Sequence, residues 1–340
     1  MSISESVHSS PTAATTATEN TRSTSIRSTF KAQSAIESLS SIITTVPDSP
    51  NPFSSLLIDP EIASQISSLI RQADAGAGND NLCRWLYDTF QSTDPQLQLV
   101  VLRFLPILAG VYLSRVTLRK PLAGFEAVLL ALYTHETTSR SGQSMTVNVP
   151  DISHPSIYHE SNTTMKDNAT NLNLAVISPS LEPHGTVRST KRARIVGVAL
   201  ELYYSKISQL PVASKIDFCE FCEAWASGGD HDQQDSSVNS NGEGLELGER
   251  ERMRIPLSWE LVQPILRILG HCLMGPNQDN ILFDAAYCAC KSLYGRCLHD
   301  INPIAMLATG SLLSLAELSL DSQNDYIDYT EIRMTNAISL

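Results

Sequence analysis

Basic charge is scarce in this sequence: 24 Lys and Arg stand against 36 Asp and Glu, for a formal net charge of -12. Nucleic-acid binders carry a basic footprint, so the balance disfavours that class. It equally disfavours unaided adhesion to an anionic bilayer, which is driven by Lys and Arg near the surface. If the protein works at a membrane, something else takes it there. Signatures of chemistry are missing too. No phosphate-cradling glycine loop, Gly-x-Ser-x-Gly elbow, His-Glu-x-x-His pair or kinase set occurs. His135-Glu136 lacks the second histidine of a metalloprotease helix. No catalytic, cofactor-binding or metal-ligating residue is therefore assigned.

A clean transmembrane run is lacking as well. The greasiest stretch, Leu97 to Leu113, is short of the roughly 20 apolar residues a bilayer crossing needs. It also holds Arg103 and Pro106. A helix apolar on most sides belongs in an interior, here kinked or divided by Pro106. Seven cysteines, an odd number with no secretory leader ahead of them, suit reduced and mostly buried thiols in a cytosolic protein. No lipid-anchor signal is recognisable: residue 2 is Ser, and the last residues carry no prenylatable Cys.

What is present is helical periodicity. Residues 1–29, rich in Ser and Thr, read as a disordered leader; Glu5 and Glu19 count against the alternative of a transit peptide. Ala32, Ala35, Ile36, Leu39, Ile42 and Ile43 then form one helical stripe, and Pro50 and Pro52 mark a connection. Asp59 before Pro60, Asp80 before Asn81 and Asp94 before Pro95 are N-cap signals for three further helices. A helix opening at Pro121 places Leu122, Phe125, Leu129, Leu132 and Tyr133 on one stripe. Glu126, beside that stripe, reads as an exposed acid favoured by the helix dipole, the alternative being a buried acid partnered by Arg103 or a Tyr hydroxyl.

After a turn at Arg140-Ser141-Gly142-Gln143, Met145, Val147 and Val149 alternate with polar residues as in a strand. Residues 172–177 have the same character and can pair with it. Lys191 to Gln209 reads as a helix with Arg188, Lys191, Arg192 and Arg194 at a solvated start. Ser214 caps the next. The acidic, glycine-rich stretch 227–249 reads as a flexible loop. Three helices follow: Trp259 to Cys272, begun or interrupted by Pro264; Asn280 to Cys297; and Pro303 to Leu318, capped by Asn302. The expected fold is mainly α, packed helical hairpins in a bundle or a solenoid-like array, with a small β-hairpin near 145–149 and 172–177. One helical domain spans residues 30–226 and 250–320 across the loop, with a tail at 321–340.

The one spacing that suggests chemistry is Cys219-Glu220-Phe221-Cys222. A zinc site wants a second ligand pair and a redox site a preceding strand; on a helix the two thiols share a face and pack as small hydrophobes. Cys288 and Cys290 read as packing residues too. Tyr158-His159-Glu160 offers acid–base groups, but neighbours in an extended segment point to opposite sides.

An ordered series of short pieces resembles the hyccin family. It comprises Phe104-Leu105-Pro106 with Tyr112-Leu113; Glu126-Ala127 through Leu130 to Tyr133 and Glu136; and Pro150, Pro155-Ser156 and Tyr158-His159-Glu160. Weaker similarity continues through residues 195–211, Arg254-Ile255-Pro256 and on to about Leu320. The Ser/Thr leader, the acidic loop and the lack of a long tail after the last helices make it look like a plant-type member. The resemblance implies a non-catalytic subunit of the plasma-membrane phosphatidylinositol 4-kinase complex. Such a subunit binds a tetratricopeptide-repeat partner that contacts the type III alpha kinase, and reaches the membrane indirectly, through a membrane-anchoring helical-repeat subunit. The chain would then be cytoplasmic and recruited to the plasma membrane, with Phe104, Leu105, Pro106, Tyr112, Glu126, Leu130, Tyr133, Pro155, Tyr158, His159 and Glu160 as family-motif or interaction candidates. The outward sides of the two apolar helices, at Leu130 for example, are the expected contact face. The competing expectation is a helical thiol or hydrolytic enzyme with dispersed residues, Cys219, Cys222, His159 and Glu160.

Overall fold

Aspartate caps recur along the chain and set where four of its helices begin. In the computed structural model, which describes residues 28–43, 52–116, 122–150, 172–183, 191–227, 258–276 and 279–324, α1 covers residues 28–40. It is followed by α2 (Pro52–Ile58), α3 (Pro60–Arg71), α4 (Asn81–Gln91), α5 (Pro95–Val116) and α6 (Ala123–Ser139). Strands β1 (Met145–Pro150) and β2 (Leu172–Ser178) come next. The remaining elements are α7 (Arg192–Ser205), a 3-10 turn at Ile207–Gln209, α8 (Val212–Ser227), α9 (Trp259–Met274), α10 (Asn280–His299) and α11 (Pro303–Asn324). The fold is mainly α with one two-stranded antiparallel sheet, as the periodicity indicates.

Four of the five predicted caps are in place. Asp59 accepts from the backbone N–H of Glu61 at 2.8 Å, Asp80 from Leu82 at 2.8 Å, Asp94 from Gln96 at 3.0 Å and Asn302 from Ala305 at 3.2 Å. Each satisfies a donor that the helix leaves unpaired. Asp279 caps α10 in the same way through Ile281 and Leu282. Ser214, expected as the cap of α8, instead lies inside it. The helix starts two residues earlier, and Ser214 is fully buried. Helix α2 was missed: Pro52, read as a connector, occupies its first position, where proline's missing N–H costs nothing.

Helix α5 runs through the middle, packed by α2, α3, α4, α7 and α8. Its 22 residues make it longer than the sequence suggested. Length and apolar composition would suffice for a bilayer, but most of it is buried inside the bundle. Pro106 does not divide it. The ring removes the N–H that would meet the carbonyl of Leu102 and crowds the preceding turn. Ser214 of α8 donates to the neighbouring carbonyl of Arg103 at 2.7 Å. Because that hydroxyl proton is committed, Tyr203 is the donor in the 3.0 Å bond between the Tyr203 and Ser214 oxygens.

The two arginines of α5 act as clips on earlier helices. Arg103 is buried and donates to the carbonyl of Leu57; Arg115 donates to the carbonyls of Arg71 at 2.9 Å, Gln72 at 2.6 Å and Ala75 at 2.9 Å. The latter three close the C-terminal end of α3, where carbonyls otherwise lack partners. Glycine allows two close crossings. A Cβ on Gly124 would lie 2.4 Å from the carbonyl oxygen of Ala77, and one on Gly197 would lie 2.4 Å from that of Glu260, where α7 meets α9. Beyond α8 the helices stack outward, α8 on α10 and α10 on α11, with α9 bridging α7, α10 and α11.

Candidate interaction surface

The family-motif residues that the structure describes turn out to be mainly interior. Phe104, Leu105, Pro106, Tyr112 and Tyr133 are buried, and Leu130 is half-buried against the core. Tyr112 donates to Glu126 at 3.1 Å, and Arg192 of α7 pairs with the same carboxylate at 3.7 Å. Glu126 is thus a half-buried, partnered acid rather than the solvated one expected, and its partner is the Tyr hydroxyl rather than Arg103. Burial, then the neighbouring Glu126 charge, push the Tyr112 phenol up from its ordinary range. The Tyr133 hydroxyl accepts from the backbone N–H of Glu182 at 3.2 Å, pinning the segment after β2. Pro155, Tyr158, His159 and Glu160 lie outside the described residues.

These contacts make α5 and α6 a framework. The basic cluster at the start of α7 is likewise drawn into ion pairs: Lys191 with Glu182, Arg192 with Glu126 and Arg194 with Glu260 at 3.5 Å. Deeper in, Arg140 sits between Glu136 at 3.1 Å and Glu201 at 3.4 Å. Burial raises the Glu201 carboxyl, against the opposing influence of Ser178 and Arg140. Ser178, at the C-terminal end of β2, is fully buried beside this cluster.

The thiols also belong to the core. Cys219 and Cys222 are buried, and Cys272 and Cys290 of α9 and α10 lie near them. The hydrogen bond of Cys219 with Cys272, followed by burial, pushes the Cys219 thiol far up; burial raises Cys222 and brings Cys290 up to about 12. A nucleophilic cysteine needs the opposite, a thiolate stabilised in a partly open electropositive setting. Among the described residues no group of three or more His, Cys, Asp or Glu is placed to hold a metal ion. Cys288 departs from expectation, since it is exposed rather than packed.

Among the described residues, exposed apolar side chains are grouped on two elements besides scattered single ones such as Phe30, Ile58 and Ile281. The hairpin is one. Val147 and Val149 share one face, and Leu174 and Val176 the other, each between 40% and 67% exposed. A lone two-stranded ribbon is marginal in water. The larger is α11. Ala305, Thr309 and Ala316 face inward, while Ile304, Leu307, Leu315 and Leu318 recur on the far side at 59%, 75%, 47% and 63% exposure. Sequence reasoning missed this second stripe because 303–318 is apolar all round, and nothing in the pattern tells which side meets the bundle.

This is a helix-on-helix body whose buried arginines clip its own helices together and which leaves apolar side chains exposed where another surface could dock. The family model described as hyccin matches residues 47–338, and the chain belongs to the hyccin family.

Proposed function

We propose that the chain is a non-catalytic regulatory subunit, of plant type, that binds a tetratricopeptide-repeat subunit. Through it, the chain stabilises a type III alpha phosphatidylinositol 4-kinase complex. In this reading the protein is cytoplasmic and reaches the plasma membrane through its partners, including a membrane-anchoring helical-repeat subunit, and it supports phosphatidylinositol 4-phosphate synthesis. The observation that carries the reading is apolar helix surface left uncovered on a chain of hyccin descent. The net charge of -12 agrees with recruitment by other proteins rather than by anionic lipid.

The mechanism is mass action. A subunit that binds only the folded partner shifts the partner's folding equilibrium, by about 1.4 kcal/mol for each tenfold of concentration above the dissociation constant. Removing this chain from cells should lower the repeat partner's abundance and phosphatidylinositol 4-phosphate together, and restoring it should rescue both. Co-expression with the repeat subunit, followed by size-exclusion chromatography, is the direct test. A chain that elutes apart from that subunit at micromolar concentration refutes the proposal.

A further inference from the structure

Helix α1 lies ahead of the residues that the hyccin model matches, yet it is seated on the bundle. What it buries fully is slight: Ala32, Ala35 and Leu39, with Ile43 in the turn beyond. Two of the four are alanines, so apolar burial, which scales with area, holds the helix lightly. A cavity of about 480 Å³ remains between α1 and α4, lined by Phe30, Ser34 and Ser38 on one side and by Arg84, Trp85 and Asp88 on the other. Polar contacts therefore carry much of the attachment. The Trp85 indole N–H donates to the Ala35 carbonyl at 2.9 Å. The Ser28 hydroxyl donates to Oδ2 of Asp94, and the Lys31 ammonium to the carbonyl of Ser92 at 2.7 Å. These last two grip the turn between α4 and α5 on either side of Thr93, whose φ of 59° is a left-handed conformation that β-branched residues rarely adopt.

The Ser28 contact depends on one proton. A hydroxyl has a single O–H to give, and an ionised carboxylate can only accept. Asp94 is buried, and its Oδ1 caps α5 by accepting from Gln96 at 3.0 Å, so it cannot turn away without uncapping that helix. Ser28 itself is half-buried in the first turn of α1, and Arg22 and Arg27 precede it in the sequence, a charge pattern of the kind protein kinases read. In the transfer, Ser28 Oγ attacks the γ-phosphorus of ATP. The Oγ–P bond forms as the bond to the departing ADP oxygen breaks, and the hydroxyl proton passes to the kinase's base. Asp94 then loses its donor and gains about -1.5 to -2 charges as a neighbour. Lys31, three residues on and on the same side of α1, is drawn from a neutral carbonyl to the charged phosphate, the stronger acceptor. Both grips on the turn fail together. The helix itself survives, because negative charge in its first turn suits the dipole.

We infer that Ser28 is a phosphorylation site and that its modification releases α1 from the corner where α4 meets α5. Release uncovers Trp85, whose indole N–H exchanges the Ala35 carbonyl for water. The inference is independent of the scaffold reading above, since it concerns contacts within this chain alone.

The test installs phosphoserine at residue 28 of the full chain by genetic code expansion and follows amide hydrogen exchange. The amides of α1 should exchange at least about tenfold faster than in the unmodified chain, with α7 to α11 unchanged. Phosphoserine placed instead at Ser38, exposed and about 15 Å further along α1, should leave exchange within about twofold. Asp94→Asn keeps a cap for α5 but drops the charge, so in the chain phosphorylated at residue 28 it should restore protection to α1. Unchanged exchange in the phosphorylated chain overturns the inference, as does acceleration that spreads through the whole bundle. An equal effect from residue 38, or no rescue by Asp94→Asn, refutes the latch at Asp94. Phosphopeptide mapping of the chain isolated from its own cells with phosphatases inhibited should find phosphate on Ser28, and its absence there refutes the site.

Discussion

Replacing a helical glycine by alanine is ordinarily favourable, and two glycines here should respond with opposite signs. Alanine is about 0.8–1.0 kcal/mol better than glycine inside a helix. Gly295 in α10 has nothing within 4 Å of an added Cβ, so Gly295→Ala should realise that gain. At Gly197 the same methyl would stand 2.4 Å from the Glu260 backbone oxygen, where real Cβ contacts stay beyond 3.0 Å. Helix α9 would have to retreat from α7 by roughly half an ångström, and overpacking of this kind costs about 1–3 kcal/mol. The obstacle is main chain and cannot rotate away. After subtracting the propensity gain, Gly197→Ala should destabilise by up to about 2 kcal/mol. Urea unfolding followed by circular dichroism at 222 nm (the α-helix band) measures both on the full chain. A midpoint that rises for Gly197→Ala, or falls for Gly295→Ala, would refute the account of the α7 and α9 crossing.

Arg115→Met keeps most of the side-chain bulk but leaves the carbonyls of Arg71, Gln72 and Ala75 without their donors. It should cost about 3 kcal/mol in the same unfolding assay, and a loss under 1 kcal/mol would show that water replaces the guanidinium. Asp300 is the site of a pH effect: burial works to raise its carboxyl, but His299 and Arg296 outweigh it and hold it below its ordinary 3.8. A carboxyl depressed on folding adds stability above the unfolded value, and that stability is lost as pH falls through the folded one. Asp300→Asn should therefore flatten the decline of melting temperature below about pH 4, and an unaltered slope counts against the contact. Among seven cysteines only Cys288 is exposed. One thiol per chain should react quickly with an aromatic disulfide reagent, the other six only on unfolding; loss of the fast phase in Cys288→Ser checks the assignment.

Legibility in the sequence followed the range of the interaction. Caps at Asp59, Asp80, Asp94 and Asn302 are set by residues two or three positions away, and all were readable. The β1 and β2 pairing was readable from alternation, because a period of two is distinctive. Ser214 was misassigned because its partners, the Arg103 carbonyl and the Tyr203 hydroxyl, lie on other helices and leave no local pattern around it. Glu126 was misjudged likewise, since Tyr112 and Arg192 reach it from other elements. The distribution of exposed apolar surface was least legible. Greasiness picked out α5 and α6, most of whose large apolar side chains are buried, whereas which side of α11 is left exposed depends on where α9 and α10 lie. Family motifs had the same bias, marking residues that shape the interior.

The central position of α5 has a consequence for how the protein is made. Two of the helices that sheath it, α7 and α8, lie downstream, and α8 is complete only at Ser227, about 110 residues after Val116. At the usual ribosomal pace of about 5–20 residues per second, a segment greasy enough for a bilayer waits roughly 5–20 seconds half-wrapped by α2, α3 and α4. During that interval the nascent chain presents to targeting factors and chaperones the stretch that the finished protein conceals most thoroughly.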